Sequence, residues 1–147
     1  MKSIWDNTAF WIPLLIWFLA QVLKVMTDLL IFKKVNMKRM IGSGGMPSSH
    51  SALVMSITTY AALLRGIDSF EFAACLVFAS IVMYDAAGIR RAAGKQARVL
   101  NQIIENDGDI DVGEKLIELL GHSPIEVLMG AILGIFGTIA FYKLWVV

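Results

Sequence analysis

Two stretches of the sequence decide how this chain folds: 44-GGMPSSH-50 and 121-GHSPIE-126. Each places small residues, a proline and a histidine directly before a long apolar run. Proline pre-sets the backbone for the first turn of a helix, so both stretches predict a helix N-terminus. That first turn carries unpaired N–H groups and a partial positive charge, which together favour the binding of phosphate.

The histidines in these stretches, His50 and His122, are the only two in the chain. Imidazole acts as a nucleophile and as a proton donor in group-transfer reactions. Two imidazoles beside two anion-binding helix starts therefore suggest phosphoryl transfer, with one ring in each role.

The composition is that of a membrane protein. Hydrophobic residues make up 57% of the 147 residues, and the mean hydropathy is +0.68. A spanning helix needs about 20 predominantly apolar residues, and four segments reach or approach that length: 9–32, 48–64, 70–87 and 125–146. We expect an all-α membrane domain over residues 1–147, a polytopic bundle of about four transmembrane helices.

The remaining segment, 88–124, is expected to be cytosolic and helical. Its apolar residues recur at roughly helical spacing and flank the turn 106-NDGD-109. Two short amphipathic helices are predicted, which either lie on the membrane surface or cap the bundle. Acidic residues of the turn match part of a calcium loop, but Val112 stands where such a loop needs glycine. We expect a solvated acidic turn and no metal.

The distribution of basic residues predicts the orientation in the membrane. Nine basic residues fall in the two long loops, and three lie on the opposite side: Lys2, Arg65 and Lys143. Both loops are therefore expected in the cytosol and both termini outside, in an integral protein of the plasma membrane. His50, His122, Arg90 and Arg91 then all lie on the cytosolic face.

These motifs carry a family resemblance. The stretch 46-MPSSHSA-52 resembles the P-S-G-H motif of the PAP2 lipid phosphatases, which are related to vanadium-dependent haloperoxidases. The stretch 122-HSPIE-126 resembles their H-x-x-x-D element, with glutamate in place of aspartate. The stretch 84-YDAAGIRRAAG-94 looks typical of the divergent branch of that family. Together the resemblance covers residues 24–134.

The resemblance implies a role for each residue of the motifs. His122 would attack phosphorus and form a phosphohistidine, and Glu126 would fix the tautomer of its ring. His50 would protonate the leaving alkoxide. The backbone N–H groups of Ser48, Ser49 and His50 would cradle the phosphoryl oxygens. This scheme requires no metal and no cofactor.

The chain lacks two basic motifs of the wider family. No lysine is followed at the proper spacing by Arg-Pro, and Leu116 stands where the wider family carries an arginine ahead of the nucleophile. The cations that hold phosphate must therefore come from elsewhere in the chain. Lys24 and Arg39 are the nearest candidates to the missing lysine motif.

Arg90 and Arg91 are the most plausible phosphate clamp, because guanidinium matches phosphate bidentately. They could instead be cytosolic anchors of the membrane topology. Asp85, near the end of the third span, is expected to pair with one of them in a supporting role.

Three further features have two interpretations each. Ser123-Pro124-Ile125-Glu126 is a good capping box, so Glu126 could close a helix end, orient His122, or do both. Lys24 and Asp28 lie four residues apart within the first span, as a functional or a structural ion pair. Gly130 and Gly134 form a GxxxG motif, which serves either close packing within the bundle, the interpretation that we favour, or specific dimerisation.

Two classes of function remain. The first is a phosphatase that acts on lipid phosphates at the cytosolic leaflet, such as phosphatidylglycerophosphate or an isoprenyl phosphate. The alternative is a non-catalytic membrane scaffold that binds phosphate, or a small transporter. The two histidines with an orienting acid favour the enzyme. The expected partners are a lipid phosphate and the membrane, without nucleic acid, and homo-oligomerisation is left open.

Overall fold

The structure is a computed structural model that describes residues 4–33, 45–106, 115–118 and 120–146. Arg39 and the acidic turn at 107–111 lie outside the described residues. Within them the chain forms a short 3-10 turn, Ile4–Asp6, and five α-helices. The helices are α1 (Thr8–Phe32), α2 (Ser49–Arg65), α3 (Phe70–Ala87), α4 (Ile89–Asn106) and α5 (Pro124–Trp145).

Short polar side chains cap four of these helices. Asn7 precedes α1, Ser48 precedes α2, Ser69 precedes α3 and Ser123 precedes α5, and each side chain accepts a backbone N–H of the first turn. Such caps satisfy donors that the helix itself leaves unpaired. The two helix starts predicted from the proline-containing stretches are thereby confirmed.

The apolar helices form a membrane bundle. By length and composition, three segments of the described chain are able to span a membrane: Thr8–Leu30, Phe70–Asn106 and Pro124–Trp145. The second of these divides at Gly88 into the apolar α3 and the basic α4. With 17 residues, α2 is shorter, and it packs against α5, α3 and α1. The predicted all-α bundle of about four membrane helices is confirmed.

Helices α2 and α5 run parallel at close range. Their contacts join residues 82 positions apart in the sequence: Ser48 with Gly130, Ala52 with Gly134, Ser56 with Thr138, and Tyr60 with Tyr142. A Cβ atom on Gly134 would lie only 2.6 Å from the carbonyl oxygen of Ala52. The GxxxG motif therefore serves close packing within the bundle, as predicted, and α2 and α5 begin at the same end.

The remaining helices place other helix ends near the starts of α2 and α5. Thr8 at the start of α1 shares a hydrogen bond with Tyr60 near the end of α2, so α1 and α2 are antiparallel. The short connection 66–69 returns the chain from α2 to α3. Ala86, in the last turn of α3, accepts a hydrogen bond from the backbone N–H of His122. The end of α3 therefore lies beside the start of α5.

The segment 88–124 holds one amphipathic helix in its described part, and the prediction of a second is wrong for residues 115–118 and 120, which are not helical. Residues 115–118 and 120 instead run along α4. The Asn101 side chain donates to the Leu116 carbonyl oxygen at 2.9 Å and accepts from the Leu116 N–H at 3.0 Å. A Cβ atom on Gly94 would lie 2.5 Å from the carbonyl oxygen of Glu118. Hydrogen bonds to Asn101 replace those of a helical turn.

The close approach of α2 to α5 predicts the effect of two glycine substitutions. Gly134→Ala is expected to lower the midpoint of thermal unfolding in detergent, because the new methyl group meets the Ala52 backbone. Such overpacking costs about 1–3 kcal/mol. Gly137→Ala is the matched control, since its methyl group meets only the flexible tip of Ile16. Both changes gain about 1 kcal/mol of helix propensity, so equal midpoints would contradict the packing argument.

Candidate active site

A pocket of about 310 Å³ lies where the start of α2, the end of α3, the start of α4 and the segment before α5 meet. Its lining residues are His50, Ile81, Val82, Asp85, Ala86, Arg90 and His122. One wall is apolar and belongs to α3. The two histidines, Asp85 and Arg90 supply the polar part of the lining, so the pocket combines polar and apolar residues.

The two histidines predicted to share a substrate lie next to each other. The centroids of the His50 and His122 rings are 6.1 Å apart, and the ring planes are inclined by 63°. Two rings more than roughly 10 Å apart could not both reach one phosphorus atom at hydrogen-bond range. The observed centroid separation lies within that limit.

Glu126 holds the His122 ring and caps α5 with the same oxygen atom. Nδ1 of His122 lies 3.1 Å from Oε2 of Glu126, and this oxygen also accepts the backbone N–H of Ser123 at 3.0 Å. Ser123 in turn accepts the N–H of Glu126, which completes a capping box. A carboxylate only accepts hydrogen bonds, so Nδ1 carries the proton and Nε2 keeps its lone pair. The capping and orienting geometries coexist.

The His122 side chain is buried, with only 1% of its surface exposed. Burial lowers the pKa of the imidazole below its ordinary value, because it disfavours the charged form, while the Glu126 carboxylate opposes the shift. The backbone of Gly45 lies beside the ring. Among the described residues, Nε2 has no hydrogen-bond partner of normal geometry. The ring is therefore neutral at pH 7 with a buried lone pair.

The backbone around His122 is fixed by α3 and α4. The N–H of His122 donates to the carbonyl oxygen of Ala86 at 2.9 Å. Gly121 has a φ of +80° and packs directly on the backbone of Arg91, where a Cβ atom would collide. Only glycine meets both conditions without strain. The sequence Gly-His thus brings the chain across α4 before α5 begins.

The start of α2 differs from the expectation in one respect. The N–H of Ser48 donates to the carbonyl oxygen of Glu126 at 2.9 Å, so it is not available to a phosphoryl group. The Ser48 hydroxyl is buried and accepts hydrogen bonds from the backbone and the side chain of Ser51. The predicted cradle of three N–H groups is therefore wrong for Ser48, and only the N–H groups of Ser49 and His50 stay in place as candidates.

The two arginines occupy different surroundings. Arg90 lines the pocket, and its Nε donates to Oδ2 of Asp85 at 2.5 Å. The expected pairing of Asp85 with an arginine is confirmed by this contact. Arg91 is exposed and does not line the pocket. Of the two arginines predicted to bind phosphate, Arg90 therefore lines the pocket and Arg91 lies outside it.

Lys24 of α1 approaches the same site from the bundle interior. Its side chain is 1% exposed, and its stem contacts Gly45. Its charge acts on both imidazoles. Asp28, one turn further along α1, is buried as well. Lys24 is thus a buried cation near the two histidines, as the sequence suggested.

Three pocket residues escaped the sequence analysis: Ile81, Val82 and Ala86. They share one face of α3 with Asp85, since positions three or four apart on a helix are neighbours. Counting back from Asp85 would have identified this face. Within the described part of the chain, no group of three His, Cys, Asp or Glu side chains is suited to hold a metal ion.

Comparison with known proteins is consistent with these features. The model of the "Divergent PAP2 family" matches residues 5–137. An "Uncharacterized membrane protein YuiD" from Bacillus subtilis (strain 168) is 41% identical over 133 residues, which cover 82% of this chain and 84% of that protein. No solved structure matches the chain. The histidine motifs, the membrane helices and these matches together establish that the chain belongs to the divergent PAP2 family.

Proposed function

We propose that this protein is an integral-membrane phosphatase that hydrolyses lipid phosphates through a phosphohistidine intermediate. The observation that carries the proposal is the pair of histidines 6.1 Å apart at one pocket, of which His122 is held by Glu126. This arrangement supplies an oriented nucleophile and a nearby proton donor. Both are needed to break a phosphate monoester of a poor leaving group.

In the first step, the lone pair on Nε2 of His122 attacks phosphorus and a P–N bond forms. The P–O bond to the lipid breaks, and the leaving alkoxide takes a proton from the protonated His50. Glu126 accepts a hydrogen bond from Nδ1 throughout and stabilises the positive charge that develops on the ring. The products of this step are the lipid alcohol and phosphohistidine at position 122.

In the second step, water attacks the phosphorus atom of phosphohistidine. His50, now neutral, accepts a proton from that water, and the P–N bond breaks. Inorganic phosphate leaves, and both histidines return to their starting protonation states. The net reaction consumes one lipid phosphate and one water and releases one lipid alcohol and one phosphate.

The charge of the phosphoryl group would be balanced from two sides. Arg90 enters the pocket from α4, and Lys24 approaches from α1. The N–H groups of Ser49 and His50 add the partial positive charge of the start of α2. These groups would take the place of the basic motifs that the wider family has and this chain lacks.

The substrate would be reached from the cytosolic leaflet. The helix ends that form the pocket connect to the loops that hold nine basic residues, against three on the other side. By the positive-inside rule this end faces the cytosol. We infer an integral protein of the plasma membrane with both termini outside.

The alternative, a phosphate-binding scaffold or a small transporter, needs cations and N–H groups but gains little from a carboxylate that orients a buried histidine. A phosphate-release screen separates the two functions. The purified protein in nanodiscs would be supplied with phosphatidylglycerophosphate, an isoprenyl phosphate and an aryl phosphate. Release inhibited by vanadate, which mimics pentacoordinate phosphorus, supports the phosphatase. A folded protein that hydrolyses none of them supports the alternative.

The roles of the two histidines predict different substrate dependence. His122→Ala is expected to abolish turnover and phosphoenzyme formation on every substrate. His50→Ala should lose about 10²–10⁴-fold on a lipid phosphate, but much less on an aryl phosphate, whose leaving group departs without a proton. Phosphate release from both substrates measures this. Equal losses in the two variants would show that the roles are wrongly assigned.

The positions of the arginines predict unequal effects of a conservative change. Arg90→Lys should reduce kcat/KM about 10- to 100-fold, the value of one charge-assisted hydrogen bond, because lysine cannot bind phosphate bidentately. Arg91→Lys is the matched control and should retain activity, since Arg91 is outside the pocket. If both variants are fully active, Lys24 becomes the principal cation of the site.

The pKa of His122 predicts the acid limit of activity. Since burial lowers this pKa below 6.5, His122 stays neutral and nucleophilic at pH 7, and protonation of this ring should reduce activity as the pH drops below that value. Glu126→Gln should move the limit to still lower pH, because the carboxylate is what raises the pKa. Glutamine still accepts the Ser123 N–H, so the cap survives. NMR titration of histidine-labelled protein measures the same shift without activity, and an unchanged pKa would contradict the assignment.

A further inference from the structure

Helix α4 packs against the rest of the chain through small and polar residues. Its buried residues are Gly94, Ala97 and Asn101, which are small or polar. Gly94 packs against the backbone of Glu118 and Leu120, and Asn101 holds the backbone of Leu116. Of the large apolar residues of α4, Ile104 is partly buried and the other four are exposed.

Those apolar residues form a separate, exposed face. Ile89, Val99, Leu100 and Ile103 are between 48% and 63% exposed, and at 3.6 residues per turn they fall within about 100° of arc. A helix with an apolar stripe of this width normally buries it against a partner. Among the helices of the described chain, α4 has substantial contacts only with α3, and no described residue buries this stripe.

The charges of α4 indicate the nature of the partner. Four basic residues, Arg90, Arg91, Lys95 and Arg98, lie in this helix of 18 residues. Within the described residues, ion pairs engage Arg90 with Asp85 and Arg98 with Glu118, but no carboxylate pairs with Arg91 or Lys95. An apolar stripe beside unpaired cations matches the surface of a bilayer that contains anionic lipids.

The position of α4 in the chain places it at such a surface. A single residue, Gly88, separates it from α3, and α3 is the apolar part of a membrane-spanning segment. The start of α4 therefore lies at the depth where α3 leaves the hydrocarbon core. An apolar face at this depth reaches acyl chains, while the basic side chains reach lipid headgroups.

We propose that α4 is an interfacial anchor, whose face formed by Ile89, Val99, Leu100 and Ile103 inserts into the cytosolic leaflet while Arg91 and Lys95 bind anionic lipid headgroups. The anchor does not depend on the phosphatase chemistry. It fixes the depth of Arg90, which belongs to α4 and lines the pocket. The sequence left open whether this helix lies on the membrane surface or caps the bundle. We favour the membrane surface, because the chain covers the small and polar residues of α4 and leaves this apolar face exposed.

Two adjacent residues on different faces of α4, about 100° apart around its axis, provide the test. The full chain has one cysteine, Cys75, so a Cys75→Ser background receives either Ile103→Cys or Gln102→Cys, each with a spin label. The labelled protein is placed in nanodiscs, and collision with oxygen, which concentrates in the bilayer, is compared with collision with a water-soluble nickel chelate. The label at 103 is expected to favour oxygen, at a depth of about 5–10 Å, and the label at 102 the nickel chelate.

Other occupants of the apolar face give different results. Protection of the label at 103 from both reagents would mean that a second copy or another segment of the chain covers it, and would overturn the proposal. Collision of that label mainly with nickel would mean a helix in water, and would also overturn it. Neither measurement uses phosphate hydrolysis, so its outcome is independent of the proposed function.

The basic residues are tested by changing lipid and protein together. Arg91→Gln combined with Lys95→Gln should make the label at 103 shallower in nanodiscs that contain phosphatidylglycerol. The same substitutions should have little effect in phosphatidylcholine alone, because there is no surface charge to lose. An identical depth with and without the two cations in the anionic nanodiscs would overturn the anionic-lipid part of the proposal.

Discussion

The parallel contact between α2 and α5 is the constraint on which the rest of the structure depends. Within a bilayer, helices gain little from burying apolar surface against each other, and close packing of small residues must hold them together. Gly130 and Gly134 allow the backbones of the two helices to touch, and the buried hydroxyls of Ser56 and Thr138 are hydrogen-bonded at 2.5 Å. Because the contact is parallel and in constant register, the residues at the two helix starts have a fixed relation.

This fixed relation between the two helix starts brings the motifs that contain His50 and His122 together at one site. The N–H of Ser48 is bonded to the carbonyl oxygen of Glu126, so the start of α2 is attached to the first turn of α5. His122 is fixed at its backbone by Ala86 and at its ring by Glu126. Groups held by this many independent contacts lose little freedom when a substrate binds, which is the general requirement for an efficient site. The same bonds that form the helix ends orient the imidazole.

Much of this arrangement followed from the sequence, and the reasons differ from residue to residue. The helix starts were predictable because proline, serine and glutamate act locally at fixed spacing. The proximity of His50 and His122 followed from a chemical argument, that one phosphoryl group must reach both. The pairing of Asp85 with an arginine was predictable because the two lie within about one turn of each other.

The incorrect expectations concern contacts that local spacing does not determine. Ser48 donates to an oxygen of a helix that is distant in the sequence, and nothing in its own motif indicates that acceptor. Arg90 and Arg91 are adjacent and chemically alike, so only the packing of α4 against Gly121 shows which one enters the pocket. The segment 115–118 has a helical pattern of apolar residues, but it is not helical, and Asn101 bonds the backbone N–H and carbonyl group of Leu116.

The parallel arrangement of α2 and α5 also has a thermodynamic consequence. Each helix start carries a partial positive charge of about half a unit, and in a parallel pair the two lie side by side instead of cancelling. Lys24 and Arg90 add positive charge to the same region, and the carboxylates of Asp85 and Glu126 offset part of it. Under the proposed function, a phosphate group in the pocket would offset the remaining positive charge, and by linkage a ligand that binds only the folded state stabilises it. Resistance of the protein to unfolding would then rise and fall with the supply of the proposed phosphate substrate.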